Sequence, residues 1–148
     1  MLIWPMDFII ASNDASFQDM TMYMGIPGAE YFAYTWELGI RKAKEFLLGS
    51  QPLSAIEALD AGMVNKVVPR AQLDEATMAF ARTIADKPAF ALKLAKDAIN
   101  AVFSAQGFDN VQRAALNAHH LAHTHYRLTQ QGSFIDCGYM ERFHAKQR

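Results

Sequence analysis

The most confining feature of this sequence is how little strand it offers. Residues 8–11, Phe-Ile-Ile-Ala, form a short apolar run that ends in the turn-prone SNDAS, the pattern of a buried strand. ASFQDM is a second extended candidate. Residues 64–68 are a third, closed by Pro69, with Asn65 and Lys66 interrupting the apolar pattern. Two or three strands make a poor sheet, and everything after Pro69 reads as helix. An extended opening that feeds a helical remainder is an odd whole domain, so the chain reads as part of something larger.

The helices announce themselves by spacing and by their stops. ELGIRKAKEFLL, residues 37–48, places Ile40, Ala43 and Leu47 on one face and most of its charges on the other, and Gly49 ends it. Ser54 and Glu57 are spaced as a capping box, which predicts a short helix to residue 61, stopped by Gly62. Residues 74–85 carry Met78, Ala81 and Ile84 as one stripe. Residues 90–103 carry Leu94, Ala98, Ile99 and Val102 inward, with Lys93 and Lys96 outward. Residues 109–129 hold neither proline nor glycine and permit one long helix, and a last helix is predicted over 134–146. Residues 1–69 and 70–148 read as two parts of one structural unit.

Composition excludes several classes. The 148 residues carry 14 Lys+Arg against 15 Asp+Glu, a net charge of −1, which gives no basic surplus for nucleic acid or an anionic membrane. Apolar residues make up 51%, enough for a real core. At 16.6 kDa a folded monomer is expected to expose roughly 7,600 Å². The single cysteine, Cys137, cannot form an intrachain disulfide, so a reducing, cytoplasmic location is expected. MLIWPMDFII lacks a basic start and is broken by Pro5 and Asp7, so it reads as neither signal peptide nor anchor.

No Gly-x-Ser-x-Gly elbow, phosphate-binding loop, Gly-x-Gly-x-x-Gly or Cys-x-x-Cys occurs. His119, His120, His123 and His125 do cluster, and His119 with His123 fall four apart on one helix face, a spacing that can bind zinc or nickel. No carboxylate lies inside the cluster. It is read as polar helix surface or interhelical hydrogen bonding, and no metal is expected.

In order, the stretches DFIIASNDASFQD, MGIPGAEYF, WELGIRKAKEFLLGSQPLSAIEALDAGMVNKVVP and KPAFALKLAKDAIN resemble the crotonase (enoyl-CoA hydratase/isomerase) superfamily, specifically its C-terminal half. The resemblance implies a helix-rich α/β fold: the later part of a β-β-α superhelix, followed by C-terminal helices that build trimer-based homo-oligomers. It implies an acyl-CoA thioester as substrate and no separate cofactor. In that family two backbone N–H groups hold a developing enolate oxygen while glutamates move protons. Both amides and the first glutamate belong to the family's N-terminal half, outside these motifs. The second glutamate position matches Thr21, whose hydroxyl does not ionise near neutral pH.

Asp19 is the nearest carboxylate to that position, and residues two apart in an extended segment share a face. Asp19 and Glu30, which follows the GIPG loop, are therefore the catalytic candidates; the ordinary alternative for each is a solvated or turn-bonding acid. Thr21, Met24, Gly25, Ile26, Pro27 and Gly28 are expected to line the acyl pocket, with Tyr31, Phe32 and Trp36 as an aromatic wall. Phe143 and Lys146 resemble terminal-helix residues that reach a neighbouring subunit's CoA. Two functions follow. One is an acyl-CoA-binding protein with residual hydratase or isomerase activity. The other is a non-catalytic assembly or acyl-CoA-binding module that needs an N-terminal partner.

Overall fold

The computed structural model describes residues 3–28 and 31–146; within the last helix the side chains of Met140, Arg142, Phe143 and Lys146 lie outside the description. In chain order the elements are β1 (Ile10–Ser12), β2 (Ser16–Phe17), a 3-10 turn (Thr21–Met24), α1 (Tyr34–Gly49), β3 (Leu53–Ser54), α2 (Ala55–Asp60) and β4 (Lys66–Val68). A second 3-10 turn (Arg70–Gln72) then leads to α3 (Leu73–Ala85), α4 (Ala89–Ala105), α5 (Phe108–Thr129) and α6 (Cys137–Lys146).

The strands pair in two small sheets. β1 lies parallel to β4 with Ala11 opposite Val67, and β2 lies antiparallel to β3 with Phe17 opposite Leu53. β1 starts two residues later than the apolar run predicts, because its ladder is set by β4. The polar interruption at Asn65 extends this pairing: its side-chain oxygen accepts from Ile9 N–H at 2.8 Å while its own N–H donates to the Ile9 carbonyl at 2.8 Å. Of ASFQDM only Ser16 and Phe17 are strand.

The capping box at Ser54 forms as its spacing requires. Glu57 N–H donates to the Ser54 hydroxyl at 3.3 Å and Ser54 N–H donates to the Glu57 carboxylate at 2.9 Å. Donation from the Ser54 N–H, and from the Ser54 hydroxyl at 2.8 Å, holds the Glu57 carboxyl below its usual range. α1 departs from expectation. It begins earlier, and Gly39 breaks it with φ 69° and ψ 160°, a conformation that only a residue without Cβ adopts readily. The kink changes the phase of the apolar stripe. Ile40, predicted inward, is exposed, while Leu38 and Phe46 are buried.

The core sits in the first half. Tyr34 is its centre, 1% exposed, with its ring edge-on to Trp4 at 4.4 Å and to Phe32 at 4.7 Å. Leu38, Phe46, Leu53, Ala58 and Val64 close around this group. Trp4 is thus inside. By contrast α3 and α4 contribute no buried residue: Leu94, Ile99 and Val102, predicted inward on α4, are exposed, as is Met78 of the α3 stripe. The accessible surface is 10045 Å², about 2,400 Å² more than a monomer of this mass ordinarily shows. No helix among the described residues is long and apolar enough to cross a membrane.

Candidate functional site

The 3-10 turn Thr21–Met24 ends at Gly25, whose left-handed φ of 75° lets its N–H return to the Met22 carbonyl at 3.1 Å. The space a side chain would need here is already filled, since a Cβ on Gly25 would lie 2.3 Å from the Tyr126 hydroxyl. The loop that follows is gripped by one face of α5. His119 Nδ1 is 3.1 Å from the Gly28 carbonyl, and the Gln112 side chain bonds both the N–H and the carbonyl of Phe32 at 2.9 Å. Gln112, His119 and Tyr126 recur every seven residues, which keeps them on one side of a helix. This heptad spacing is the signal in the sequence that could have revealed them.

Between the loop and α5 runs an open groove of about 580 Å³. Met22, Ile26, Pro27 and Leu48 form one wall; Leu121, Ala122 and Tyr126 form the other. Its volume and apolar lining suit a small apolar ligand. Gly25, Ile26 and Pro27 are thus brought together beside it. Met24 contributes its carbonyl, which accepts from Asp136 N–H at 2.9 Å. Gly28 is buried behind the groove.

The acidic candidate Asp19 is fully engaged. One oxygen accepts from Thr21 N–H at 2.7 Å and from the Thr21 hydroxyl, and the other accepts from the Tyr34 hydroxyl. A carboxylate that holds three donors positions the turn, and would have to release them before it moved a proton. Glu30 lies outside the described residues, as do the side chains of Phe143 and Lys146.

The aromatic segment does not form one wall. Tyr34 is core, Phe32 packs on it, and Trp36 meets Phe108 edge to face at 5.0 Å while its N–H donates to Gln106. Tyr31 turns instead toward a second cleft of about 430 Å³, where it meets Glu37, Asn65 and Lys96. Burial raises the Glu37 carboxyl above its usual range, and burial together with the Glu37 charge raises the Tyr31 hydroxyl.

Glu37 thereby gives a pH prediction. The folded state holds its proton more tightly than the unfolded state, so folding loses stability as pH rises through the ordinary carboxylate range toward the raised value. Glu37→Gln is expected to melt higher than the parent at pH 7, by less than about 1 kcal/mol once solvent screening is counted. At pH 4 the two should coincide. A higher-melting parent at pH 7 is the opposite result.

The sequence profile of the enoyl-CoA hydratase/isomerase family matches residues 1–144. The "Putative enoyl-CoA hydratase EchA13" of Mycobacterium tuberculosis is 41% identical over 127 residues, which are 85% of this chain and 40% of that protein. The human mitochondrial enoyl-CoA hydratase domain-containing protein 3 is 38% identical over 88 residues, covering 57% of this chain and 28% of that one. Among solved structures, a probable enoyl-CoA hydratase from Mycobacterium smegmatis superposes with a TM-score of 0.88 at 44% identity, covering 91% of this chain and 55% of that one. The chain spans less than half the length of the curated relatives just named, and its helix-rich α/β fold is the C-terminal part of the crotonase fold.

Proposed function

Because the chain belongs to the enoyl-CoA hydratase/isomerase family, we propose that these 148 residues bind acyl-CoA thioesters, seat the acyl chain in the groove between residues 25–27 and α5, and do not by themselves hydrate an enoyl thioester. The observation that carries this reading is the state of Asp19. Thr21 stands where the family resemblance implies a proton-moving glutamate, and the neighbouring carboxylate is spent on holding Thr21 and Tyr34 in place. A groove with apolar walls, beside a loop whose neighbouring Asp19 is already engaged, binds and orients a substrate. Completing the reaction would require groups from outside these residues to supply the amides that steady the enolate oxygen, a contribution of about 3–4 kcal/mol per donor.

Self-association belongs to the same proposal. Leu121 and Leu128 on α5 are 70% and 80% exposed, and Phe90 on α4 is 74% exposed. The surplus surface is of the size that obligate interfaces bury, which favours a homo-oligomer built through the C-terminal helices.

One preparation tests both parts. The folded chain is mixed with short 2-enoyl-CoA, the loss of the enoyl thioester absorbance is followed, and binding and mass are read on the same sample. Binding without turnover above buffer, at a scattering mass above 16.6 kDa, is the expected result. Turnover by the chain alone overturns the non-catalytic reading, and a monodisperse monomer that binds no acyl-CoA overturns the rest.

A further inference from the structure

The cleft beside Tyr31 is separate from the acyl groove, and the two share no lining residue. It holds about 430 Å³, the room a small molecule needs. Three aromatic side chains line it from three different segments: Tyr31 ahead of α1, Phe103 near the end of α4 and Phe108 at the start of α5. Phe108 stands in the middle, its ring centre 5.5 Å from that of Tyr31 and 5.4 Å from that of Phe103. The planes are inclined at 59° and 77°, so the rings make a bent apolar surface and not a closed stack.

Charge along this cleft is uneven. Lys96 and Asp7 both line it but satisfy each other, with the Lys96 ammonium 2.5 Å from the Asp7 carboxylate. That leaves Glu37, half-buried in the first turn of α1, whose carboxyl makes no hydrogen bond or ion pair with a described residue. The Tyr31 hydroxyl has no described hydrogen-bond partner either. It lies within reach of the Glu37 charge, which adds to burial in holding its proton. A carboxylate withdrawn from water ordinarily finds a cation or N–H donors. An acid kept in a cleft at a cost to folding, the cost that Glu37→Gln is expected to relieve, fits a group that serves a ligand.

We infer that this cleft binds an organic ammonium ion, a primary amine carried on a small apolar or aromatic body. The ammonium would donate to the Glu37 carboxylate and to the Tyr31 hydroxyl, while the body covers Phe103 and Phe108. An anion fits poorly, because Glu37 repels it and the Lys96 charge is already engaged by Asp7. A purely apolar occupant fits no better, since it would strip water from the Glu37 carboxylate and give nothing in return. The four cleft groups that meet the ligand come from α1, the segment before it, α4 and α5, so binding would tie the end of α4 and the start of α5 to the first half of the chain.

The test uses the full chain and 2-phenylethylammonium, with 2-phenylethanol as the uncharged counterpart of the same shape. Calorimetric titration into the parent is expected to give one saturable amine site per chain, with the alcohol at least about tenfold weaker. This comparison depends on no variant folding. Glu37→Gln keeps the shape of the side chain and should weaken the amine at least about tenfold while leaving the alcohol as it was. Glu45→Gln removes another acid of α1, exposed, outside the cleft and 3.2 Å from Lys42, and should bind the amine as the parent does. Equal affinity for amine and alcohol, undiminished amine binding in Glu37→Gln, the same loss in Glu45→Gln, or no saturable amine uptake by the folded parent would each overturn the assignment.

Discussion

Tyr34→Ala is expected to cost about 4–8 kcal/mol of folding stability, read as a fall in the urea midpoint with an unchanged slope. Emptying an aromatic site in a packed core costs about 3–5 kcal/mol, because the walls relax only partly into the cavity. Trp4, Phe32 and Phe46 all face this ring, the first at 4.4 Å. The hydroxyl adds a second loss, since it donates to Asp19, and a carboxylate deprived of a donor inside the fold forfeits about 1–3 kcal/mol. Tyr34→Phe separates the two contributions by keeping the ring and removing the bond. Its cost should fall within the smaller range. A Tyr34→Ala chain within about 1 kcal/mol of the parent would mean that the first half has no single packed centre.

That ring also shows where the sequence was legible and where it was not. YFAYTW reads as aromatic and therefore as wall or core, but nothing local says that Tyr34 turns inward and Tyr31 outward. The kink at Gly39 and the partner strands decide it. Punctuation was clear: Ser54 with Glu57 formed its box, and Gly25, Pro27 and Gly28 marked the loop that borders the groove. These signals are local, satisfied within three or four residues, and survive whatever packs above them.

Apolar stripes were legible only as stripes. Met78, Leu94, Ile99 and Val102 lie on the faces their spacing predicts, yet they meet solvent, because periodicity identifies an apolar face without naming what covers it. The other wall of the groove was missed for a related reason. Gln112, His119 and Tyr126 act on residues 25–32 from 80 to more than 100 positions away. Only a heptad rhythm on α5 hints at it. The histidines read as polar helix surface or interhelical hydrogen bonding; in the structure His119 meets the Gly28 carbonyl and His123 the Phe134 carbonyl, partners that helical spacing does not reveal.

The groove itself gives the second large effect. Ala122 is a small residue on the α5 wall, opposite Ile26 and Pro27. An indole at this position would occupy the volume assigned to the acyl chain, while the face of α5 that grips the loop, at Gln112, His119 and Tyr126, stays as it is. Ala122→Trp is therefore expected to weaken acyl-CoA binding by tenfold or more, at least about 1.4 kcal/mol, with little change in the urea midpoint. Displacement of the chain from an apolar slot removes most of the favourable burial, about 0.8 kcal/mol for each methylene no longer covered. Longer acyl chains should suffer more than shorter ones.

The decisive measurement is a calorimetric titration of butyryl-CoA and hexanoyl-CoA, neither of which can be hydrated, into the parent chain and into Ala122→Trp. Saturable binding to the parent that tightens with chain length, and is lost tenfold or more in the folded variant, is the predicted result. Equal affinities for the two proteins, or a folded parent that takes up neither ligand, would contradict the assignment of this groove to the acyl chain.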